Sequence, residues 1–143
     1  MNSLRPNIYA FTLAACMVLL ALPSCATGNV NIPQELSPAE IIQRAQEASD
    51  RNRYNVALQY YQALLERNPY NLSLVCTAEY EIAFIHFKQK KYPQAREQFY
   101  ALLERYQAPG GDLLPQQFRI LTTIVLERID ERENTRSLFS GLR

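Results

Sequence analysis

The sequence contains no tryptophan, one histidine, three cysteines and four glycines in 143 residues, and each scarcity removes a class of chemistry. The glycines stand at positions 28, 110, 111 and 141, so no glycine-rich loop is present to cradle a nucleotide's phosphates. A single imidazole, His86, offers no paired metal-ligand spacing, and no cofactor or metal is expected. The cysteines, Cys16, Cys25 and Cys76, are too few for a disulfide framework. An excess of charge is missing too, since 15 Lys plus Arg oppose 14 Asp plus Glu. The one adjacent basic pair, Lys90-Lys91, reads as a solvated turn. A chain so nearly neutral lacks the phosphate-neutralising charge of generic nucleic-acid binding, and no nucleic-acid partner is expected.

Charge is wholly absent from residues 8–22, IYAFTLAACMVLLAL, which follow Arg5 and the free amine. A membrane span needs about 20 apolar residues, and this run is shorter and interrupted by Thr12, so it fits the apolar region of a signal peptide better than a span. An uncleaved anchor helix is the alternative. The run ends in Leu22-Pro23-Ser24-Cys25, which resembles a bacterial lipobox. The resemblance implies a diacylglyceryl thioether on Cys25, cleavage just before it, and a domain held on a membrane outside the cytoplasm. Leu22 and Ser24 match the pattern, whereas Pro23 departs from it; Leu13-Ala14-Ala15-Cys16 is a rival that would leave Met17 to Leu22 as a greasy new terminus. Lipidation of Cys25 leaves Cys76 without a disulfide partner, and its apolar neighbours mark it as a small buried hydrophobe.

Residues 26–36 are polar, aperiodic and read as a tether. Ser37-Pro38-Ala39-Glu40 is a capping-box helix start. From there the chain repeats itself at an offset of 38 residues: Ala45 matches Ala83, Tyr54 matches Tyr92, Ala57 matches Ala95, Tyr61 matches Phe99, and Ala63-Leu-Leu-Glu-Arg67 matches Ala101-Leu-Leu-Glu-Arg105. Each unit holds two apolar patterns of helical period split by a short polar turn, which predicts helical hairpins with alanines at the close crossings and Tyr61 and Phe99 where the helices splay.

This pattern, with Asn68-Pro69 closing the second helix, resembles the tetratricopeptide repeat over residues 38–107. It departs from that family in lacking its first-helix Trp, in holding Gln107 where a second Pro would stand, and in a period four residues over 34. Those four residues predict either an extra helical turn or a longer loop near Tyr70 to Ser73. The long period and the lipobox together resemble bacterial envelope lipoproteins, including the lipoprotein subunit of the outer-membrane β-barrel assembly machinery.

Asp112 is expected to cap a fifth helix, Leu113 to about Glu133, with Phe118, Leu121, Thr122, Val125 and Ile129 on the covering face. Ile120 and Ile124 give it a second apolar side, which suits a helix that bends back into the domain or meets a partner. The expected organisation is all-α: a signal peptide (1–24), a lipidated tether (25–36), two repeats (37–107), a capping helix (108–133) and a flexible tail (134–143).

A hydrolytic triad would have to use His86, which lies on a core helix, and Glu79 with Glu81 or Asp130 with Glu131 point too far apart on their helices to converge. No enzyme is expected. By resemblance the concave groove is lined by Ile42, Gln46 and Ser49, then Tyr80, Phe84, Phe87 and Lys88. Aromatic anchors beside a lysine suit a peptide or amphipathic helix of another envelope protein, although Tyr80 and Phe84 packing under the fifth helix is an equal alternative. The expected function is a membrane-anchored interaction adaptor, with Ala26 after the lipidated Cys leaning toward an outer membrane facing the periplasm. Two other readings are an accessory subunit passing a ligand to a transporter through a pocket around Phe84 and Phe87, and a thiol enzyme needing Cys76 and His86 in contact and open to solvent. The sequence leaves the oligomeric state open.

Overall fold

Ser37 sets the start of α1 (Pro38–Asp50). Its hydroxyl accepts from the Glu40 amide at 3.3 Å and the Glu40 carboxylate accepts from the Ser37 amide at 2.8 Å, with Pro38 in the first turn. Those hydrogen bonds hold the Glu40 carboxyl below its ordinary range. The computed structural model describes residues 28–140, and the apolar run, both lipobox cysteines and the signal segment lie outside the described residues.

After α1 the chain reverses through Arg51-Asn52-Arg53, with Asn52 at φ 57°, into α2 (Tyr54–Arg67). Asn71 opens α3 (Leu72–Lys88) by accepting from the Leu74 amide at 3.2 Å. A second reversal places Lys90 at φ 61° and leads into α4 (Tyr92–Gln107). Gly110 at φ 85° then admits a short 3-10 turn, Gly111–Leu113, before α5 (Gln116–Ser140). A Cβ at Gly111 would run into the Tyr106 carbonyl, so the turn needs glycine there. No strand occurs among the described residues, and the architecture is two helical hairpins plus a fifth helix.

The four extra residues of the 38-residue offset are a helical turn. α1 has 13 residues and α3 has 17, and the addition lies ahead of Ala83 at the front of α3. Ala45, Ala57, Ala83 and Ala95 are each 0% exposed, as are Tyr61 and Phe99. Each hairpin thus buries its two alanines and its ring within one cluster, Ala45, Ala57 and Tyr61 in the first and Ala83, Ala95 and Phe99 in the second. α3 is apolar nearly all round because it serves two cores: Ala78 and Ile85 pack toward the first hairpin, while Cys76, Tyr80, Ala83 and Phe87 pack toward α4 and α5.

α5 departs from the expected register. It begins at Gln116, and Asp112 belongs to the 3-10 turn and caps nothing there. Phe118, Thr122, Val125, Leu126 and Ile129 face the core, whereas Leu121 is 40% exposed. The buried set repeats at i, i+4, i+7 and i+11, and Leu121 falls one residue off that stripe. Residues 134–140 also continue as helix where a tail is expected. Nothing stops a helix before Gly141, and Arg96 of α4 binds both Asp130 and Glu133 just ahead of that segment.

The stretch before α1 does not hang loose either. Gln59 accepts from the Val30 amide at 2.8 Å and donates to the Gly28 carbonyl at 3.3 Å, while Arg67 donates to the carbonyls of Ile32 and Pro33 at 2.9 Å each. Val30, Ile32 and Leu36 are partly buried on the first hairpin. Sequence periodicity misses such docking because no regular element is involved. No helix among the described residues is long and apolar enough to cross a membrane.

Candidate partner-binding groove

Tyr80, Phe84 and Phe87 recur at helical spacing on α3, so their rings share one face. Tyr80 and Phe84 lie 5.8 Å apart at 13°, and Phe84 and Phe87 lie 5.6 Å apart at 21°. Such pairs contribute about 0.5–1.5 kcal/mol each beyond their buried area. The ladder is supported from below and the side: Tyr80 also meets Phe99 of α4 at 5.7 Å and Phe118 of α5 at 5.5 Å, and Phe87 meets Tyr92 at 5.9 Å.

That support decides which rings reach solvent. Tyr80 and Phe87 are each only 7% exposed, and burial pushes the Tyr80 hydroxyl up to about 12. Phe84 between them is half-buried. Of the remaining groove positions, Gln46 is exposed, Ile42 is half-buried and Ser49 is buried. The structure brings Ser49 and Lys88 together: the Lys88 ammonium donates to Ser49 Oγ at 2.9 Å, joining the last turns of α1 and α3, and lies 5.3 Å over the Phe84 ring. Of the expected groove positions, Ile42, Gln46, Phe84 and Lys88 therefore keep solvent exposure, whereas Ser49, Tyr80 and Phe87 are buried. Phe99 and Phe118 pack against Tyr80, and Tyr92 packs against Phe87.

Beside the groove, burial raises the Glu81 carboxyl, with Lys88 acting against the rise and Asp50 adding to it. The Tyr61 hydroxyl nearby is buried without a hydrogen-bond partner, and burial first, then Glu81 and Asp50, raises it as well. A raised carboxyl means that the folded chain holds its proton at a pH where the unfolded chain has lost it. Stability contributed by this group is thus complete below the ordinary glutamate value and falls as pH rises through the folded value. Glu81→Gln is expected to abolish that fall, leaving a flatter stability profile above the ordinary carboxylate range in denaturant titrations; an unchanged profile would mean that Glu81 is already well hydrated.

Glu79, two residues earlier, faces elsewhere. It accepts from Arg105 of α4 at 2.7 Å and borders a cleft of about 350 Å³ with Gln62, Leu65, Ile82 and Gln98. No sequence motif signals this cleft, because its walls come from three helices. The two carboxylates do not converge. Cys76 and His86 do not pair in an exposed site either: Cys76 is 0% exposed with burial raising its thiol, and His86, 6% exposed, shares a 2.6 Å hydrogen bond between Nδ1 and Gln98 Oε1.

The outer side of α5 carries three exposed apolar side chains close together in sequence. Ile120 is 58% exposed, Leu121 40% and Ile124 39%, on a helix whose other side is filled by the core. The sequence names Ile120 and Ile124 as a second apolar side, and they stay uncovered.

No protein family matches the chain, and no solved structure matches it. An uncharacterized protein of Treponema pallidum (strain Nichols) is 34% identical over 133 residues, covering 92% of this chain and 51% of the relative. The chain thus spans about half the length of that relative.

Proposed function

We propose that the protein is a lipid-anchored interaction module of a bacterial envelope, of tetratricopeptide type, that binds a helix or peptide of another envelope protein. The carrying observation is the exposed stripe of Ile120, Leu121 and Ile124 on α5, whose opposite face is already satisfied. Phe84 and Lys88 add a half-buried ring and a cation on the neighbouring α3, the combination that desolvates well against a partner helix. The 38-residue repeat, the lipobox ending at Cys25 and a bacterial relative support the family and the location, with the outer membrane favoured by Ala26. No observation favours a ligand-carrying transporter subunit over this reading.

Site-specific photo-crosslinking in the native membrane tests it. Crosslinkers at positions 84 and 124 are expected to capture one and the same protein. Ile124→Glu, on an exposed face, is expected to lower that capture at least tenfold without changing the thermal midpoint; Phe84→Glu is expected to lower it with some loss of stability. Retention of the crosslinks by a folded Ile124→Glu protein overturns the proposal.

A further inference from the structure

Both hairpin turns lie at one end of the bundle, as the Lys88 to Ser49 hydrogen bond requires, and that end collects cations. Lys90, Tyr92, Arg132 and Arg136 line an open recess of about 470 Å³ there, and no acid is among its walls. On α5, Asp130 and Glu133 both bind Arg96, and Glu131, beside Arg132 in sequence, is exposed and is not among the residues that line the recess. Among the described residues, Lys90, Arg132 and Arg136 form no ion pair. Two walls are fixed in advance. The Arg132 guanidinium lies 5.0 Å over the Phe87 ring and donates to the Tyr92 hydroxyl at 3.3 Å, and Tyr92 itself packs against Phe87. Lys90 projects from a backbone whose amide closes α3 on the Phe87 carbonyl at 2.9 Å.

Three unpaired cations sharing a recess repel one another, and a polyvalent oxyanion relieves that repulsion while accepting from guanidinium, ammonium and phenol at once. We propose that this recess binds a phosphate group. The position of the segment before α1 favours a membrane headgroup as its source. From the Arg67 contacts at Ile32 and Pro33, this segment runs back along α2 to Gln59 and Gly28, toward the end that carries the turns. Cys25 stands three positions before Gly28. Exposed Arg53 and Lys91 belong to the same end, beside Arg51, which pairs with Glu47 at 3.6 Å, and the exposed Asp50. An anionic leaflet attracts such a basic surface, and the recess gives one headgroup a defined seat. The choice of source rests on the lipid-anchor reading, whereas phosphate binding by the recess does not.

The test uses the full chain in a neutral detergent, following the guanidinium NMR signals of Arg132 and Arg136. The probes are inorganic phosphate, dihexanoyl phosphatidylglycerol, and sodium chloride at matched ionic strength. Saturable shifts with the lipid, and half-saturation raised at least tenfold by Lys90→Gln with Arg136→Gln, are expected. These two side chains are exposed, so the double variant leaves the core untouched. Saturation by phosphate but not by the lipid overturns the headgroup as source and keeps the site. Shifts reproduced by chloride, or binding indifferent to the double variant, overturn the site itself. No partner protein is present, so failure of the interaction module would not affect the outcome.

Discussion

Phe99→Ala is expected to lower the stability of the chain by about 3–5 kcal/mol, a large part of the roughly 5–15 kcal/mol that holds a typical domain. Phe99 is 0% exposed, lies under Tyr80 at 5.7 Å and belongs to the cluster shared by α3, α4 and α5. Its removal takes away both the transferred apolar area and the packing on every side of the void. The loss should also propagate, because Tyr80 carries Phe84, and a sunken Tyr80 would tilt the ring that the groove presents. Urea denaturation of the full chain in detergent, read by aromatic circular dichroism and by helix content, checks both effects. A loss below about 1 kcal/mol would show that the second core is not organised around this ring.

Ala83→Leu attacks the same hairpin by the opposite route. Ala83 and Ala95 are both 0% exposed where α3 crosses α4, so added methylenes have no vacant volume to enter. Overpacking commonly costs about 1–3 kcal/mol, and the upper end is expected here because the backbones themselves must separate. Gln98 of α4 also anchors His86 of α3, so separation should weaken that hydrogen bond too. A shift in the denaturation midpoint larger than that of Leu103→Ala, a half-buried site on α4, is the expected ranking. Equal stability would mean that the alanines do not mark the crossing.

The hairpins are legible in the sequence because a repeat announces its own contacts twice. Ala45 with Ala57 and Ala83 with Ala95 name the crossings, and Tyr61 and Phe99 name the filled ends, before any coordinates. Boundaries follow where local chemistry is strong, as at Ser37 and Asn68-Pro69. The fifth helix is less legible, since it has no second copy to compare with. Its stripe could be drawn through Leu121 or Leu126, and only the shape of the α3–α4 surface selects Leu126. The groove is partly legible: the residues Tyr80, Phe84, Phe87 and Lys88 do cluster, but which rings stay open depends on Phe99, Phe118 and α5. The docking of residues 28–36 and the basic recess leave no pattern at all, because each is assembled from side chains distant in sequence.

Docking of the entry segment also sets how far the module can reach. With Gly28 and Val30 held by Gln59, only Ala26 and Thr27 separate a lipidated Cys25 from the first anchored residue. The three residue steps from Cys25 to Gly28 extend at most about 10 Å. Under the proposed lipid anchor, so short a leash would confine the search to two dimensions, with neighbours sampled by lateral diffusion at a nearly constant orientation and distant soluble molecules left unsampled.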